Sequence, residues 1–382
     1  MTRRPASPDV AGSLRDLYES PARGTPQGAS RDARRAAFHR SMPGYSESPL
    51  VNAPLTAEAL GLDRLLVKLE SERFGLPSFK ILGASWAVCR ALSALAGRDE
   101  PTAGFDELRE LAGRLGPLTF VAATDGNHGR AVARMAKLLS LGARILVPEG
   151  TAPARIAAIQ GEGATVDVIP GSYDDAIAAS AALAGEGHLV ISDTSWPGYE
   201  EVPHWVIDGY GTIFDELAGQ TNAVPELCVV QIGVGALASA TVGALAASGR
   251  VIAGVEPADA ACVLAALRDG EGASAPGPHR SLMVGLNCGV ASPIALPDLR
   301  AGLDAVCAID DSAAIAAVRL LVSDGIEAGE TGAAGVAGLV ALHERFGTGA
   351  WERLGLGERP AALTICTEGP TDPDSFARIT AG

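Results

Sequence analysis

One lysine stands where its side chain could do chemistry. Lys80 follows an aromatic residue in the string "SFKILGA" and precedes small and apolar residues. A long charged side chain is costly to hold beside packed apolar residues unless a partner uses its charge. The simpler interpretation is a helix lysine whose stem packs on the protein while its ammonium reaches water. The heptad alone leaves both interpretations open, so the neighbouring polar turns matter.

The first polar turn that could surround this lysine is "TDGNHGR", at 124–130, directly after a predicted strand. It offers four polar side chains within five positions: Thr124, Asp125, Asn127 and His128. Capping the next helix needs only one of them, so the surplus indicates a ligand. The start of that helix also supplies unpaired N–H groups and the positive end of a dipole.

A glycine-rich turn, "GVGALAS" at 233–239, follows another predicted strand. Backbone N–H groups can approach a phosphate closely there because no Cβ stands in the way. The same turn fits G-x-G-x-x-A, and Glu256 ends the next predicted strand as a ribose-binding acid would. The turn therefore predicts a phosphate site and leaves a dinucleotide as an alternative.

The third polar turn is "CTEGPTDPD", at 366–374, and it also follows a strand. The Thr367 hydroxyl or the Cys366 thiol could meet a neutral ring nitrogen at this strand end, although the composition is also that of an ordinary turn. An amine near a phosphate cradle, with polar turns around it, is the constellation of a pyridoxal phosphate enzyme. In such enzymes the lysine holds the aldehyde as a Schiff base and the cradle holds the phosphate.

The elements that must position these turns alternate regularly between strands and helices. Strands are predicted at 118–124, 143–149, 165–171 and 188–193, and a second alternating block starts near residue 205. Short apolar strands separated by helices predict βαβ units, so the expected fold class is α/β, with two open sheets that are mainly parallel. Ligands in such folds bind at the carboxyl ends of the strands.

Composition excludes several classes of function. The 382 residues carry a formal charge of −15, which argues against nucleic acid and anionic membranes as partners. Six scattered cysteines without a C-x-x-C pair predict reduced thiols in a cytoplasmic protein, and the six histidines show no metal-binding spacing. No apolar stretch is long enough to span a membrane. Residues 1–37, rich in Arg, Pro, Ser and Gly, are expected to form a mobile or loosely docked leader, not a targeting signal.

Longer strings carry a family resemblance. "VKLESERFGLPSFKILGA" resembles the lysine segment of the threonine dehydratase and tryptophan synthase β superfamily, known as pyridoxal phosphate fold type II. "ATDGNHGRAVA", "SDTSWPGYEEVPHWVIDGYGTIFDE" and "TEGPTDP" resemble the diaminopropionate ammonia-lyase family in particular. The resemblance runs from Phe38 to the end of the chain in collinear order. Its D-G-N-H-G and D-T-S-W-x-G-Y strings are specific, whereas the glycine turn is generic.

The resemblance implies a domain arrangement. A smaller α/β domain of 86–200 would be inserted into a larger cofactor-binding domain made of 38–85 and 201–382. The two domains would close over a cleft with Lys80 at the seam. Homodimers are usual in this family.

The resemblance also implies the cofactor contacts. Lys80 would form the Schiff base with pyridoxal 5'-phosphate and later move the α-proton, while Phe79 would pack beside the cofactor. Asn127 would bond the ring hydroxyl oxygen, and Thr367, or Cys366 in its place, would face the ring nitrogen. A neutral partner there leaves the ring unprotonated. The phosphate would be cradled by Gly233, Val234, Gly235, Ala236 and Leu237.

Two carboxylates would carry the choice of substrate. Asp125 and Asp193 suit an ammonium leaving group, because the opposite charge positions it within hydrogen-bonding range. By resemblance, Asp125 would also be the base for the D-isomer and Lys80 the base for the L-isomer, while Thr124 and His128 would hold the substrate carboxylate. The implied reaction is elimination of ammonia from 2,3-diaminopropionate, after which aminoacrylate hydrolyses to pyruvate and a second ammonia. Capping of neighbouring backbone remains the alternative role for both aspartates.

One loop departs from the family pattern. "GLNCGVAS" stands where the family carries G-L-A-C-G-E-P-N, so Asn287 replaces a small residue and Val290, Ala291 and Ser292 replace Glu-Pro-Asn. If this loop borders the substrate, the pocket is altered. A related β-eliminase or β-replacement enzyme acting on serine, threonine, 3-hydroxyaspartate or another 3-substituted alanine is therefore an alternative. A non-catalytic cofactor binder and a dinucleotide-dependent oxidoreductase are more distant ones.

Overall fold

The computed structural model describes residues 12–21, 24–26, 33–124, 126–185 and 187–381. The strands in this part of the chain are β1 (Leu14–Glu19), β2 (Leu50–Asn52), β3 (Arg64–Leu69), β4 (Thr119–Ala123), β5 (Gly142–Pro148), β6 (Thr165–Ile169), β7 (His188–Val190), β8 (Leu227–Gln231), β9 (Val251–Pro257), β10 (Ala305–Ile309) and β11 (Ala361–Cys366). The α-helices are α1 (Ala33–Ser41), α2 (Pro54–Ala59), α3 (Lys80–Leu95), α4 (Phe105–Leu115), α5 (Asn127–Leu139), α6 (Pro153–Gln160), α7 (Tyr173–Ala181), α8 (Glu201–Gln220), α9 (Ala236–Leu245), α10 (Cys262–Asp269), α11 (Leu296–Gly302), α12 (Asp311–Ser323), α13 (Ala334–Phe346), α14 (Gly349–Arg353) and α15 (Pro373–Ala381).

The larger sheet has the strand order β1-β10-β9-β8-β11-β3-β2 among the described residues. Its five inner strands are parallel, and the edge strands β1 and β2 pair antiparallel with their neighbours. Both faces are covered, so a central strand such as β8 is apolar throughout except at its last residue. Cys228 and Val230 of β8 face one hydrophobic core, whereas Leu227 and Val229 face another, as the two-residue period of a strand requires. The prediction of mainly parallel sheets is confirmed.

The second sheet is parallel throughout, with the order β6-β5-β4-β7. It lies wholly within the range 86–200 that was expected to form an inserted domain. The boundaries of that domain remain a prediction.

Helix α3 lies between the two sheet systems and begins at Lys80. It packs against α8 on one side and against α5 on the other. The contact with α8 is close because two glycines face each other there. A Cβ on Gly83 would lie 2.5 Å from the Tyr210 ring, and a Cβ on Gly209 would lie 2.4 Å from the carbonyl oxygen of Leu82. Because these glycines lack side chains, α3 and α8 can pack closely, and this packing fixes the position of Lys80 at the start of α3.

The N-terminal segment differs from the expected loose leader. Residues Leu14–Glu19 form the edge strand β1, which pairs with β10. Asp16 on this strand also forms an ion pair with Arg268. This part of the segment is built into the sheet, and residues 1–11, 22–23 and 27–32 lie outside the described residues.

The structure bears on the membrane, metal and cysteine expectations as well. None of the described helices combines the length and the apolar character needed to cross a membrane. In the same part of the chain, no cluster of three or more His, Cys, Asp or Glu side chains is arranged to hold a metal ion. The six cysteines are buried thiols.

Candidate active site

The polar turns meet because the strands that carry them are neighbours. Strands β8 and β11 pair in the larger sheet, so the glycine turn and the turn containing Thr367 share one edge. Strands β4 and β7 pair in the smaller sheet, so "TDGNHG" and Asp193 share another. The two edges border one cavity. The predicted site residues that line it are Phe79, Lys80, Thr124, Asn127, His128, Asp193, Gly233, Val234, Gly235, Ala236, Leu237 and Thr367. Asp125 lies outside the described residues.

Lys80 forms an ion pair with Asp193 at the centre of the cavity. Its Nζ donates to Oδ2 of Asp193 at 2.6 Å, and the Asp193 side chain is only 5% exposed. Tyr173 donates to the other carboxylate oxygen at 3.3 Å. Burial alone would raise the pKa of Asp193, but the charges of His128 and Lys80 outweigh it and hold that pKa well below its usual range. The Lys80 ammonium therefore faces an ionised, buried carboxylate.

His128 and Thr124 are both buried beside this ion pair. Nε2 of His128 lies 2.8 Å from the carbonyl oxygen of Ile191. Since a carbonyl only accepts, this nitrogen carries the hydrogen, and Nδ1 faces Asp193 at 3.8 Å. The Thr124 hydroxyl accepts from the N–H groups of Gly126 at 2.9 Å and Gly129 at 3.1 Å. Thr124 thus performs the capping role that was its simpler interpretation, while also lining the cavity.

The glycine turn leaves its amides open to the cavity. Gly235 has a φ of +105°, in the left-handed region, and immediately precedes α9. A Cβ there would lie 2.9 Å from Cδ1 of Leu299 and 3.1 Å from Cβ of Ala295. A Cβ on Gly233 would lie 3.2 Å from the carbonyl oxygen of Gly285. Only glycine fits at these two positions without displacing its neighbours, and the first N–H groups of α9, which have no partner within the helix, suit a phosphate.

Glu256 does not have the role that the dinucleotide alternative gave it. Its side chain is fully buried, and its carboxylate accepts from the N–H groups of Val263 and Leu264, both at 2.8 Å. Burial raises the pKa of Glu256 to about 8. The residue caps α10 and is not available to bind a ribose.

Thr367 and Cys366 differ in their access to the cavity. Thr367 lines it, and its Oγ1 lies 2.7 Å from Nε2 of Gln231. Cys366 points elsewhere, since its fully buried Sγ lies 3.5 Å from the carbonyl oxygen of Glu368. Of the two candidates, Thr367 is therefore the one placed to meet a ring nitrogen.

The cavity residues that were not singled out from the sequence include Tyr173, Gln231 and Glu368. Tyr173 bonds Asp193, Gln231 bonds Thr367, and Glu368 accepts a hydrogen bond from Nδ2 of Asn127. Gln231 is the last residue of β8, and a polar residue at the end of an apolar strand was a sequence signal that could have identified it. Glu368 lies in the third polar turn and Tyr173 follows strand β6, and no spacing in the sequence distinguished either residue.

A buried ion network holds the loop that leads to Lys80. Lys68, Glu70, Arg73 and Glu216 are each at most 2% exposed. Glu216 receives Arg73 Nη1 at 2.7 Å and Lys68 Nζ at 2.8 Å, while Arg73 Nη2 also reaches Glu70 at 2.5 Å. Burial would raise the pKa of Glu216, but its hydrogen bonds and ion pairs with Arg73 and Lys68 lower it to about 2. The network ties the end of β3 to α8.

The chain contains only three lysines, at positions 68, 80 and 137. Lys68 belongs to the buried network, and Lys137 is exposed on α5. Lys80 is the lysine that lines the cavity.

The loop that was expected to depart from the family pattern borders the cavity. Asn287 lines the cavity, but its amide accepts from the N–H of Ser281 at 3.2 Å and donates to the carbonyl of Ser281 at 2.9 Å. Ser292 accepts from the N–H of Ser195 at 3.1 Å, and the two hydroxyls lie 2.9 Å apart. Since Ser195 follows Asp193 by two residues, the altered loop contacts the segment that carries this aspartate.

The residues present fit pyridoxal phosphate. Lys80 offers an amine for the aldehyde, the turn from Gly233 to Leu237 offers open amides for the phosphate, and Thr367 offers a neutral hydroxyl for the ring nitrogen. The side-chain oxygen of Gln231, at the bottom of the same cavity, is buried without a partner among the described residues. A ligand of this chemistry would use the groups that line the cavity.

Comparisons with known proteins identify relatives of this chain. The family model "Pyridoxal-phosphate dependent enzyme" matches residues 42–353. The diaminopropionate ammonia-lyase of Escherichia coli (strain K12) is 33% identical over 356 residues, covering 90% of this chain and 89% of its own. A crystal structure of the Escherichia coli enzyme in complex with D-serine superposes with a TM-score of 0.88 at 31% identity, covering 97% of both chains. Its complex with an aminoacrylate-PLP azomethine reaction intermediate gives a TM-score of 0.86 at 31% identity, with 97% of each chain covered.

Proposed function

This chain belongs to the diaminopropionate ammonia-lyase family of pyridoxal-phosphate dependent enzymes, and from that premise we propose that it eliminates ammonia from 2,3-diaminopropionate. Its cofactor is pyridoxal 5'-phosphate. Substrate and one water give pyruvate and two molecules of ammonia. The observation that carries the proposal is the buried Asp193 carboxylate, 2.6 Å from the amine of Lys80 on the cavity wall. A negative group at this place can receive an ammonium leaving group.

Different residues of the chain would bind different parts of the cofactor. Lys80 would hold the cofactor through Nζ, and the turn from Gly233 to Leu237 would bind its phosphate. Asn127 and Thr367 would bind its ring, and Phe79 would pack beside it. When bound, pyridoxal phosphate supplies the electron sink that makes the α-hydrogen of an amino acid acidic.

Proton movement would be shared between Lys80 and the carboxylates. Lys80 would take the α-hydrogen of the L-isomer at Nζ, since this amine is within hydrogen-bonding reach of the centre of the cavity. Asp193 would hold the β-ammonium as it departs, with one oxygen fixed by Tyr173 and the other directed at Lys80. His128 would support the charge of Asp193 and, with Thr124, bind the substrate carboxylate. Asp125 remains the proposed base for the D-isomer.

A second candidate is elimination from another 3-substituted alanine, such as serine, threonine or 3-hydroxyaspartate. Asn287 favours it, because a residue that differs from the family pattern lines the cavity. The side chain of Asn287 is, however, held by the backbone of Ser281 on both sides, which limits its reach towards a substrate.

The two candidates differ in their products. The holoenzyme is incubated with D- and L-2,3-diaminopropionate, serine, threonine and 3-hydroxyaspartate, and ammonia and pyruvate are both quantified. Diaminopropionate is expected to react fastest and to release two ammonia molecules for each pyruvate. Rapid deamination of the hydroxy amino acids, with diaminopropionate left intact, would replace the first candidate by the second.

We further propose that the enzyme is a cytoplasmic homodimer. Homodimers are usual in the family that it resembles, and six buried thiols suit a reducing compartment. Light scattering on the eluting holoenzyme is expected to give twice the mass of the chain, and a monomeric mass would contradict the homodimer.

A further inference from the structure

We propose that Gln231 is a positioning residue that directs the hydroxyl hydrogen of Thr367 towards the ring nitrogen of the cofactor and so keeps that nitrogen unprotonated. The inference rests on the proposed function, since it presupposes pyridoxal phosphate with its ring nitrogen at Thr367. Gln231 ends β8, is 3% exposed and lines the cavity.

The orientation of the Gln231 amide follows from what surrounds it. Its Nε2 lies 3.1 Å from the carbonyl oxygen of Thr331 and 3.0 Å from that of Ile365. Carbonyl oxygens only accept hydrogen bonds, so the end of the amide that faces them must be the nitrogen. A flipped amide would place three oxygens against one another.

The same nitrogen determines what Thr367 can do. Nε2 lies 2.7 Å from Oγ1 of Thr367, the shortest of its three contacts. An amide nitrogen has no lone pair to offer, so the Thr367 oxygen is the acceptor, and Nε2 shares its two hydrogens among this oxygen and the two carbonyl oxygens, with the shortest contact to Thr367. The hydrogen of Thr367 must then point away from Gln231.

Two directions remain for that hydrogen. Among the described residues, Thr367 can donate to the carbonyl oxygen of Thr331 at 3.4 Å, which is long for a bond between an O–H group and an oxygen. The other direction is the cavity, where an unprotonated ring nitrogen would accept at an ordinary distance. A protonated ring would instead leave the hydroxyl with only the long contact to Thr331.

Gln231 therefore removes an ambiguity that a hydroxyl alone would leave. A threonine can donate to a bare ring nitrogen or accept from a protonated one. With one lone pair engaged by Gln231, donation becomes the favoured mode. The ring then withdraws fewer electrons from the substrate, which favours elimination over other fates of the same carbanion.

The test measures the ring nitrogen directly. The holoenzyme is loaded with pyridoxal phosphate labelled with ¹⁵N in the ring, and its NMR shift is recorded at one fixed pH near neutrality. The wild type is expected to show an unprotonated nitrogen. Gln231→Met removes the donor without adding charge, so its signal is expected to move towards the protonated position. Gln160→Met, at an exposed position on α6, is the matched control and should leave the signal unchanged.

Each outcome decides the matter. A protonated ring nitrogen in the wild type would overturn the inference without any variant, and so would an unmoved signal in Gln231→Met. Ammonia release from diaminopropionate is measured on the same samples. If it occurs while the nitrogen is protonated, the proposed function stands and only the role of Gln231 falls. If the nitrogen is unprotonated and no ammonia appears, the proposed function fails alone.

Discussion

Asp193 keeps its charge in a place where burial alone would remove it. Its pKa is lowered although its side chain is nearly inaccessible, because the charges of His128 and Lys80 stabilise the ionised form. A carboxyl group with a depressed folded-state pKa stabilises the fold above its unfolded pKa and loses that effect only as the pH falls through the folded value. Asp193 is therefore ionised throughout the neutral range, ready for a cationic group.

Replacing this carboxylate by an amide tests its chemical role. Asp193→Asn keeps the shape but removes the charge beside Lys80, so kcat/KM for diaminopropionate is expected to fall on the order of 100-fold or more. The visible absorbance of the bound cofactor should persist, which separates lost chemistry from lost binding. Asp106→Asn, on the exposed face of α4, is the control. Wild-type turnover in Asp193→Asn would show that the ion pair is only structural.

The glycine turn connects a strand end to a helix start, and its conformation is what makes it a cradle. Gly235 and Gly249 both have positive φ, at +105° and +74°, but only Gly235 is crowded. Nothing lies within 4 Å of a Cβ built on Gly249, whereas one on Gly235 meets Leu299 and Ala295. Alanine at Gly249 therefore adds backbone strain alone, whereas alanine at Gly235 adds the same strain and also a steric clash in the phosphate cradle.

Alanine at these two positions is expected to act differently on the cofactor. Gly249→Ala should lower the free energy of unfolding by about 1–2 kcal/mol, the cost of a left-handed alanine, and Gly235→Ala should lower it by more, because its Cβ also meets Leu299 and Ala295. Only Gly235→Ala should also weaken cofactor binding, measured by titrating the apoenzyme with pyridoxal phosphate. Equal cofactor affinity in the two variants would mean that the turn does not bind the phosphate.

The ion network between β3 and α8 makes a prediction for acid stability. The pKa of Glu216 is lowered to about 2 by Arg73 and Lys68, against about 4.3 for an unperturbed glutamate. Because the folded-state pKa is depressed, its stabilisation is complete above the unfolded value and is lost as the pH falls from that value to about 2. Glu216→Gln should therefore cost about 3 kcal/mol at neutral pH, since it leaves the buried Lys68 without its carboxylate and Arg73 with Glu70 alone.

Denaturant unfolding at several pH values measures this cost. The difference between Glu216→Gln and the wild type should shrink as the pH falls below about 4, where the wild-type carboxylate begins to lose its advantage. Asp106→Asn breaks only an exposed ion pair on α4 and should cost less than about 1 kcal/mol. A pH-independent difference would show that Glu216 acts by packing and not by charge.

Sequence patterns predicted the elements of the site better than its internal contacts. The turns after β4, β8 and β11 were predictable because a buried strand that ends in a polar turn is a local signal. The network could not be predicted, since Arg73 and Glu216 are 143 residues apart and meet only after α8 packs on α3. The strand β1 was missed for the same reason, because its polar sequence becomes a strand only through pairing with β10. The orientation of the Gln231 side chain could not be predicted either, because it is set by the distant carbonyl groups of Thr331 and Ile365.

At the scale of the molecule, a serine pair joins the two sheet systems. Ser195 follows β7 in the smaller sheet, whereas Ser292 hydrogen-bonds through its N–H to the carbonyl oxygen of Val234 beside the glycine turn. Their side chains meet inside the protein. The contact links the segment that carries Asp193 to the cradle, in the loop that was expected to depart from the family pattern. The domain boundaries at 86 and 200 remain a prediction, and on that division the serine pair would connect the smaller domain to the larger one.

Removing the Ser292 hydroxyl should loosen that link. In Ser292→Ala, amide hydrogen exchange at 192–199 is expected to speed up roughly tenfold, as the loss of about 1.4 kcal/mol of buried hydrogen bonding implies. Ser180→Ala is the matched control, because the hydroxyl of this buried serine donates within its own helix, to the carbonyl of Ile177. Unchanged exchange at 192–199 would mean that the serine pair does not hold the two sheets together.

The covalent attachment of the cofactor tests the whole account most directly. Holoenzyme is reduced with borohydride, digested, and its lysine-containing peptides are identified by mass spectrometry, which is simple because the chain has only three lysines. The phosphopyridoxyl group is predicted on Lys80, with Lys68 and Lys137 unmodified. A label on either of those two lysines, or none on Lys80, would contradict the account.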